Sequence, residues 1–263
     1  IINLVSILPS NYEDEVVADC TDDLNRAATG FESGLEDTKL ALASISDDGF
    51  VVEVKSAYAP EMLTAFIKLN GATVGVVANR TKVYDDEMSV VAEYEPKLTA
   101  KGCDKAAEFV YFCDDFSIPV LTLTNVKGFA TSKCQEKHGA AKTAKLTFAF
   151  ANATVPKVNV LIGEAFGSAY ITMNSKSIGA DMVFALPNAK IGMMDAQSAV
   201  KIMYADEIEK DASVVAEKTA EYEALQGNVT KAASRGYVDN IIQPVDVRKY
   251  VIGAFEMLYT KRQ

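Results

Sequence analysis

The residues whose spacing suits chemistry in this chain are mostly small. The stretch VPKVNVLIGEAFGSA occupies 155–169, with an apolar run at 155–162 followed by Gly163, Gly167, Ser168 and Ala169. A strand that stops on small residues and turns at once into a helix leaves that helix's first N–H groups without intrahelical partners. The positive end of the helix dipole stands behind them. Such a terminus stabilises a developing negative oxygen without any catalytic side chain. The simpler alternative is a tight strand-to-helix turn, where small residues are common. A second short strand at 120–124 runs into Asn125, Val126, Lys127, Gly128 and Phe129, read as a loop. If the two strands are neighbours, Gly128-Phe129 and Gly167-Ser168-Ala169 face one crevice. Two sets of backbone donors then converge on one enolate-like oxygen.

Other reactive types offer less. Gln135 and Glu136 either line that crevice or cap a helix whose dipole favours Glu136. His138 is the single histidine, so a Ser-His-Asp or Cys-His mechanism would rest wholly on it. No partner for it is visible, and a surface or packing role is the reading. There is no GxSxG elbow, P-loop or GxGxxG fingerprint. The four cysteines, Cys20, Cys103, Cys113 and Cys134, lack CxxC spacing, so they read as free thiols in a reducing cytoplasm and no metal site is expected. Met193-Met194 suits either a sulfur-lined pocket or core filling, and core filling is the commoner use.

The elements that must position these residues follow from periodicity. Two apolar runs at 62–69 and 73–78 flank Asn70-Gly71, a hairpin signal because both turn residues need positive φ. Residues 80–98 are polar and read as a solvated loop. Apolar residues at 106, 109, 110, 113 and 116 give a helix over 99–116 that stops before Pro119. Further helices are predicted at 135–151, from about 169 to 179, from 195 or 197 to 204, over 206–226 as one long acidic helix, at 232–235 and at 245–260. Short strands are predicted at 50–54, 182–185, 189–192 and 237–242. Strand, crossover helix and strand in succession imply a parallel sheet with right-handed connections, and hence an α/β fold.

Composition bounds the rest. The chain has 263 residues, 49% hydrophobic and 24% charged, as in a globular protein with a substantial core. The net charge of −10 argues against nucleic-acid binding, which needs a basic face. It also argues that a polyphosphate ligand such as coenzyme A needs help from another chain. No apolar run approaches the ~20 residues that span a bilayer, and no signal peptide is seen. Residue 1 is Ile, so the chain is read as processed or cut from something longer, in the cytoplasm.

Set together, these blocks resemble a known family. FIKLNGATVGVVANR (66–80), KAAEFVYFCDDFSIPVLTL (105–123), NVKGF (125–129), QEKHGA (135–140), ANATVPKVNVLIGEAFGSAY (151–170), MNSKSIGAD (173–181), ALPNAKIGMM (185–194) and RGYVDNIIQPVDVR (235–248) are similar, in this order, to the carboxyl-terminal half of the carboxyltransferase of biotin-dependent acyl-CoA carboxylases and decarboxylases. The resemblance implies a crotonase-like ββα superhelix with a mainly parallel sheet over 31–263, and a link from a preceding half over 1–30. It implies that the missing half holds most of the acyl-CoA site and that this half receives biotin from a separate carrier protein. The active site would lie between halves of different subunits of an oligomer.

By the same resemblance, the backbone amides of Ser168 and Ala169 form the oxyanion hole, while Gly128, Phe129, Gly167, Tyr170 and Ile171 line the biotin site. The family reaction moves a carboxyl group between biotin and an acyl-CoA, or runs in reverse as a decarboxylation. The sequence departs from the family's usual DVPGF at NVKGF (125–129), from GGAYD at Gly167-Ser168-Ala169-Tyr170-Ile171, and from Ala-Trp-Pro at Ala185-Leu186-Pro187. Ser168 keeps its N–H, so the hole survives; Ile171 replaces a polar residue near the acyl group and leaves the acyl-CoA open. Two other readings of the residues remain: a single-domain crotonase-type hydratase or isomerase with Glu136 and Glu164 as its acids, and a non-catalytic assembly subunit.

Overall fold

The structure is a computed structural model that describes residues 2–11, 14, 19–85, 87–211 and 213–261. In chain order, α1 (Ile2–Val5) and α2 (Thr38–Ile45) precede β1 (Val51–Glu53), β2 (Met62–Leu69) and β3 (Ala72–Asn79). Then come β4 (Lys82–Tyr84), β5 (Val90–Glu93), β6 (Lys97–Leu98), α3 (Ala100–Asp115), β7 (Val120–Val126) and β8 (Gly128–Phe129). They are followed by α4 (Lys133–Asn152), β9 (Lys157–Phe166), α5 (Gly167–Thr172), β10 (Met182–Ala185) and β11 (Lys190–Gly192). The chain closes with α6 (Ala196–Met203), α7 (Ala205–Lys210), α8 (Val214–Tyr222), α9 (Val229–Ser234), β12 (Asn240–Ile241) and α10 (Val247–Leu258).

One 8-stranded sheet runs β1-β2-β3-β7-β9-β10-β12, with β11 paired further along β9. Its first two pairings are antiparallel, and every pairing from β3 onward is parallel. The β2–β3 hairpin turns at Asn70 (φ 52°) and Gly71 (φ 76°), as Asn-Gly predicts. Alternate residues divide the core. Phe66, Val77, Val120 and Leu161 face a cluster with Phe109 and Val110 of α3 and Phe150 of α4. Ala65, Val76, Leu121 and Val160 face the other side, with Leu42 of α2 and Val251 and Ile252 of α10. Period-2 alternation in a sheet covered on both faces produces this division.

Several expectations need correction. Residues 80–98 are not one loop. They hold the β4–β5 hairpin and β6, tied back by Thr81 and Lys82 N–H groups that donate to the Glu36 carbonyl at 3.0 and 2.9 Å. The predicted acidic helix over 206–226 is broken: α7 and α8 are separate, and Glu223–Gly227 forms a π-helical turn. Periodic polarity cannot reveal such a break, because no apolar stripe is interrupted. The predicted helix to about 179 stops at Thr172, where Met173 and Asn174 (φ 52°) turn the chain back to the sheet. The strand before it extends beyond 162 to Phe166, since β11 and the end of β7 both pair with its last residues.

Within residues 1–30, Ile7 and Ala28 are buried, and the Thr73 hydroxyl donates to the Ile7 carbonyl at 2.7 Å. A buried ionic knot holds the other end of the segment. The Arg248 guanidinium, fully buried, contacts Asp47 at 2.7 Å and Asp22 at 3.3 Å, while Asp22 also pairs with Arg26 at 2.9 Å. Asp47 accepts from the backbone of Asn70 and Gly71, so the knot also fixes the hairpin turn.

Candidate functional site

The two predicted exits are brought together. β7 and β9 pair in parallel, with Thr122 opposite Asn159 and Val126 opposite Ala165. Helix α5, which leaves β9, packs directly against β8, which leaves β7. Gly128 and Phe129 are not in a loop, as their small and polar neighbours suggested. They form β8, in register with Lys97 and Leu98 of β6. The flanking Lys127 and Ala130 N–H groups donate to Pro96 and Leu98 carbonyls at 2.7 and 2.8 Å. The wall opposite α5 is therefore pinned backbone.

The spacing between the walls is set at Asn125, which lies within β7 and not in the expected loop. The β7–β9 register shifts between Thr124 and Val126. There the Asn125 N–H donates to Asn79 Oδ1 at 3.0 Å, and Asn125 Oδ1 accepts the Glu164 N–H at 3.0 Å. Gly163 is small for the same reason: a Cβ on it would lie 2.6 Å from Asn125 Oδ1. The sequence carries no more sign of this bridge than one amide residue at the end of a β-branched run. Its partners are distant in sequence.

At α5 itself, Gly167 takes φ +61°, and a Cβ there would meet the Met193 carbonyl at 2.8 Å. Only glycine meets both conditions without strain. The Asp37, Thr99, Ser132, Asp195 and Asn228 side chains cap α2, α3, α4, α6 and α9. The N-cap of α5 is Phe166, which supplies no side-chain hydrogen bond. The opening N–H groups of α5, at Gly167, Ser168 and Ala169, precede any acceptor inside the helix. Ser168 is exposed, Ala169 is buried and Ile171 faces outward at 40% exposure. The Tyr170 side chain lies in the core, and burial pushes its phenol up to about 12, with Tyr237 adding to the shift.

The remaining candidates serve elsewhere. Gln135 Oε1 accepts the Ala100 N–H at 2.7 Å, tying α4 to the start of α3. Glu136 is exposed in the first turn of α4, where the dipole favours it, and His138 is exposed. Core filling by Met193-Met194 is overturned: β11 ends at Gly192, Met193 is 82% exposed and Met194 is half-buried. The Met193 carbonyl, not its sulfur, touches the site. Asp195, just beyond, titrates low: burial opposes this, but the Ser198 hydrogen bonds and the Lys127 charge outweigh it. Among the described residues, no cluster of three His, Cys, Asp or Glu side chains is arranged for a metal. The cavity of about 320 Å³ between Pro119, Pro156, Ile252 and Phe255 lies at the amino ends of β7 and β9, the edge away from α5.

A mostly parallel sheet, with the exit of one central strand opening a short uncapped helix against the exit of its neighbour, defines a crotonase-like α/β domain. The sequence comparisons narrow that class. A family model described as carboxyl transferase domain matches residues 1–263, and the chain belongs to that family. It is 39% identical over 231 residues to the methylmalonyl-CoA carboxyltransferase 12S subunit of Propionibacterium freudenreichii subsp. shermanii, covering 86% of this chain and 42% of that protein. It is 35% identical over 269 residues to the methylmalonyl-CoA decarboxylase subunit alpha of Veillonella parvula, covering 99% of this chain and 50% of that one. A solved transcarboxylase 12S structure, a hexamer assembly with hydrolyzed methylmalonyl-coenzyme A bound, superposes with a TM-score of 0.87 at 36% identity, over 99% of this chain and 50% of its own. The beta subunit of the geranyl-CoA carboxylase of P. aeruginosa shares the fold, with a TM-score of 0.74 at 20% identity over 98% of this chain and 48% of that one. The chain spans about half the length of the curated relatives it matches. Among the described residues, no helix is long and apolar enough to cross a membrane.

Proposed function

We propose that this chain is the biotin-side half of an acyl-CoA carboxyltransferase, acting in the cytoplasm, and that it moves a carboxyl group between biotin and a short acyl-CoA or runs the reverse decarboxylation. The observation that carries the reading is the uncapped start of α5, Gly167–Thr172, set against β8 in a carboxyl transferase domain. Residues 31–263 would form the domain, and 1–30 would link it to a first half.

The residues present fit a flat ring with a charge-bearing oxygen. A Cβ built on Gly128 meets nothing within 4 Å, so open space lies beside that wall. Gly167 has no side chain to block the approach to α5. Biotin, when bound, supplies a ring nitrogen that carries the carboxyl group and a ureido oxygen that gains negative charge as the group departs. Ser168 and Ala169 would donate their N–H groups to that oxygen, with the first turn of α5 adding its dipole. Gly128 and Phe129 would hold the opposite side, and Tyr170 and Ile171 would shape the floor. None of these roles needs a nucleophile or a titrating side chain. Positioning and a preorganised field suffice.

Partners follow from what this half lacks. A net charge of −10 makes it a poor sole host for coenzyme A, so a first half would bind most of that substrate. Met193, Ile202, Met203 and Leu225 are each more than 60% exposed, on the segment that touches Gly167 and on the helices that follow it. An apolar surface beside a site suits an interface; we assign it to the first half of another subunit in a homo-oligomer, with a biotin carrier protein visiting the crevice. The test is carboxyl transfer between malonyl-CoA or methylmalonyl-CoA and free biotin, with and without the first half. Transfer only in the reconstituted sample is expected. Transfer by this chain alone sinks the split site, and hydration of crotonyl-CoA by this chain alone favours a hydratase.

A further inference from the structure

We propose that Asn159 is a positioning residue: its buried side-chain amide anchors the carboxyl end of α5 and so fixes where the Ser168 and Ala169 N–H groups stand relative to β8. The catalytic consequence rests on the function proposed above; the anchor itself does not.

The need for an anchor comes from size. α5 has 6 residues, and isolated helices shorter than ~12–15 residues are marginal even with good formers. Buried Ala169, Tyr170 and Thr172 pack it against the core, and its ends supply the directional ties. The leading end is joined to β9 through Phe166. The trailing end returns to the same strand. Asn159 Nδ2 donates to the Met173 carbonyl at 3.0 Å and to the Asn174 carbonyl at 2.9 Å. β9 thus grips the helix at both ends, by a covalent link at one and by a side-chain amide at the other.

The amide has one workable orientation. Two carbonyls can only accept, so the nitrogen must face them. Asn159 Oδ1 then faces Thr124, whose hydroxyl donates to it at 2.8 Å. All polar atoms of the Asn159 side chain are used, and the residue is fully buried. The placement follows the sheet alternation. Thr122, Thr124 and Asn159 lie on the α5 side of the sheet, among residues that otherwise face the α3–α4 core. Asn174, in the left-handed conformation at φ 52°, directs Nδ2 to the Thr122 hydroxyl at 3.1 Å. The carbonyls inside α5 are served separately: Ser168 by the Thr172 hydroxyl and Ile171 by the Ser175 hydroxyl, both at 3.0 Å. Asn174 Nδ2 also lies 3.5 Å from the Val158 carbonyl of β9, but Asn159, with two shorter bonds, is the main tie from the end of the helix to the strand that carries its start.

Asn159→Asp keeps the shape and removes both donors. Thr124→Val removes the hydroxyl that orients the amide at 2.8 Å and that also lies 3.4 Å from the Met173 carbonyl, and Thr124→Ser returns it. Native-state hydrogen exchange of the whole chain reads the anchor, and carboxyl transfer with the first half present reads its consequence. In Asn159→Asp, exchange over 167–175 should quicken ~10-fold or more while the β2–β3 hairpin is unchanged, since a segment can open locally without global unfolding. A displacement near ~1 Å costs up to ~10²-fold in rate, so kcat should fall ~10- to 100-fold with the acyl-CoA KM within about 2-fold. Thr124→Val should shift both readouts less, and Thr124→Ser should restore them. Should Asn159→Asp fail to fold, Asn159→Ala, which leaves the Thr124 hydroxyl in place, decides together with the Thr124 pair. Unchanged exchange over 167–175, an equal rise across the whole sheet, or failure of Thr124→Ser to rescue overturns the anchor. If the wild-type pair of halves transfers no carboxyl group, the proposed function falls and the exchange data still judge Asn159.

Discussion

Replacing Gly167 by Ala tests the proposed oxyanion site with one methyl group. Gly167 sits at φ +61°, where an L-residue pays ~1–2 kcal/mol in the left-handed region. The new Cβ would lie 2.8 Å from the Met193 carbonyl, whereas ordinary contact begins at 3.4 Å, so one of the two backbones must give by about 0.6 Å. The Met193 segment follows β11, which is held on β9 by the pairing of Gly192 with Phe166, so much of the movement should fall on the start of α5. Loss of one oxyanion donor typically costs ~2.7–4 kcal/mol, or 10²–10³ in kcat, and a partial displacement should cost less. Gly167→Ala should therefore lower stability by ~1–3 kcal/mol, combining the conformational term with overpacking. It should lower carboxyl transfer by ~10- to 100-fold. Urea unfolding measures the first, and transfer to free biotin by the reconstituted halves measures the second. Gly128→Ala is the contrast: its Cβ meets no atom within 4 Å, so it should fold with stability within ~0.5 kcal/mol of wild type, as surface changes usually do, while narrowing the ring site. A folded Gly167→Ala protein whose transfer rate stays within 2-fold of wild type would refute the assignment of the site to the start of α5.

Three further outcomes follow from the same contacts. Ser168→Ala keeps the backbone donor and should leave transfer within ~2-fold, whereas Ser168→Pro removes it and should cost ~10²–10³ in kcat; equal losses would assign the role to the hydroxyl. Arg248→Met strands buried Asp47 without its guanidinium, and breaking such a pair by removing one partner costs ~3–5 kcal/mol, measurable as a lower urea midpoint. Lys105 is buried on α3 and desolvation brings its ammonium down to about 8. The unfolded chain then holds more protons between about pH 8 and 10.5, so stability rises with pH across that window and the penalty is fully present below it. Lys105→Met should remove that rise and stabilise the protein at pH 7 by ~1–3 kcal/mol, at about 1.4 kcal/mol per pKa unit, as read by paired unfolding curves at pH 7 and 10.

Much of the fold was legible because its signals are local. Asn70-Gly71 forced a hairpin, apolar spacing from 106 to 116 gave α3, and β-branched runs gave β7 and β9. Strand, helix and strand in sequence implied the parallel pairing that places β7 beside β9. The break between α7 and α8 and the β4–β5 hairpin were not legible, because neither is marked by an apolar period.

What the sequence by itself determined is the small-residue opening after an apolar strand and the run of blocks that ties it to the carboxyl transferase domain family. Those depend on residue types and short spacings, which a linear text carries in full. Only the tertiary structure decided that Gly163 is small to admit Asn125, that Gly167 is small because of the Met193 carbonyl, and that Asn159 reaches the end of α5. Each of these partners lies elsewhere in the chain and becomes a neighbour only when the sheet assembles, because hydrogen bonds and steric contacts act over a few ångströms of space whatever the distance along the sequence.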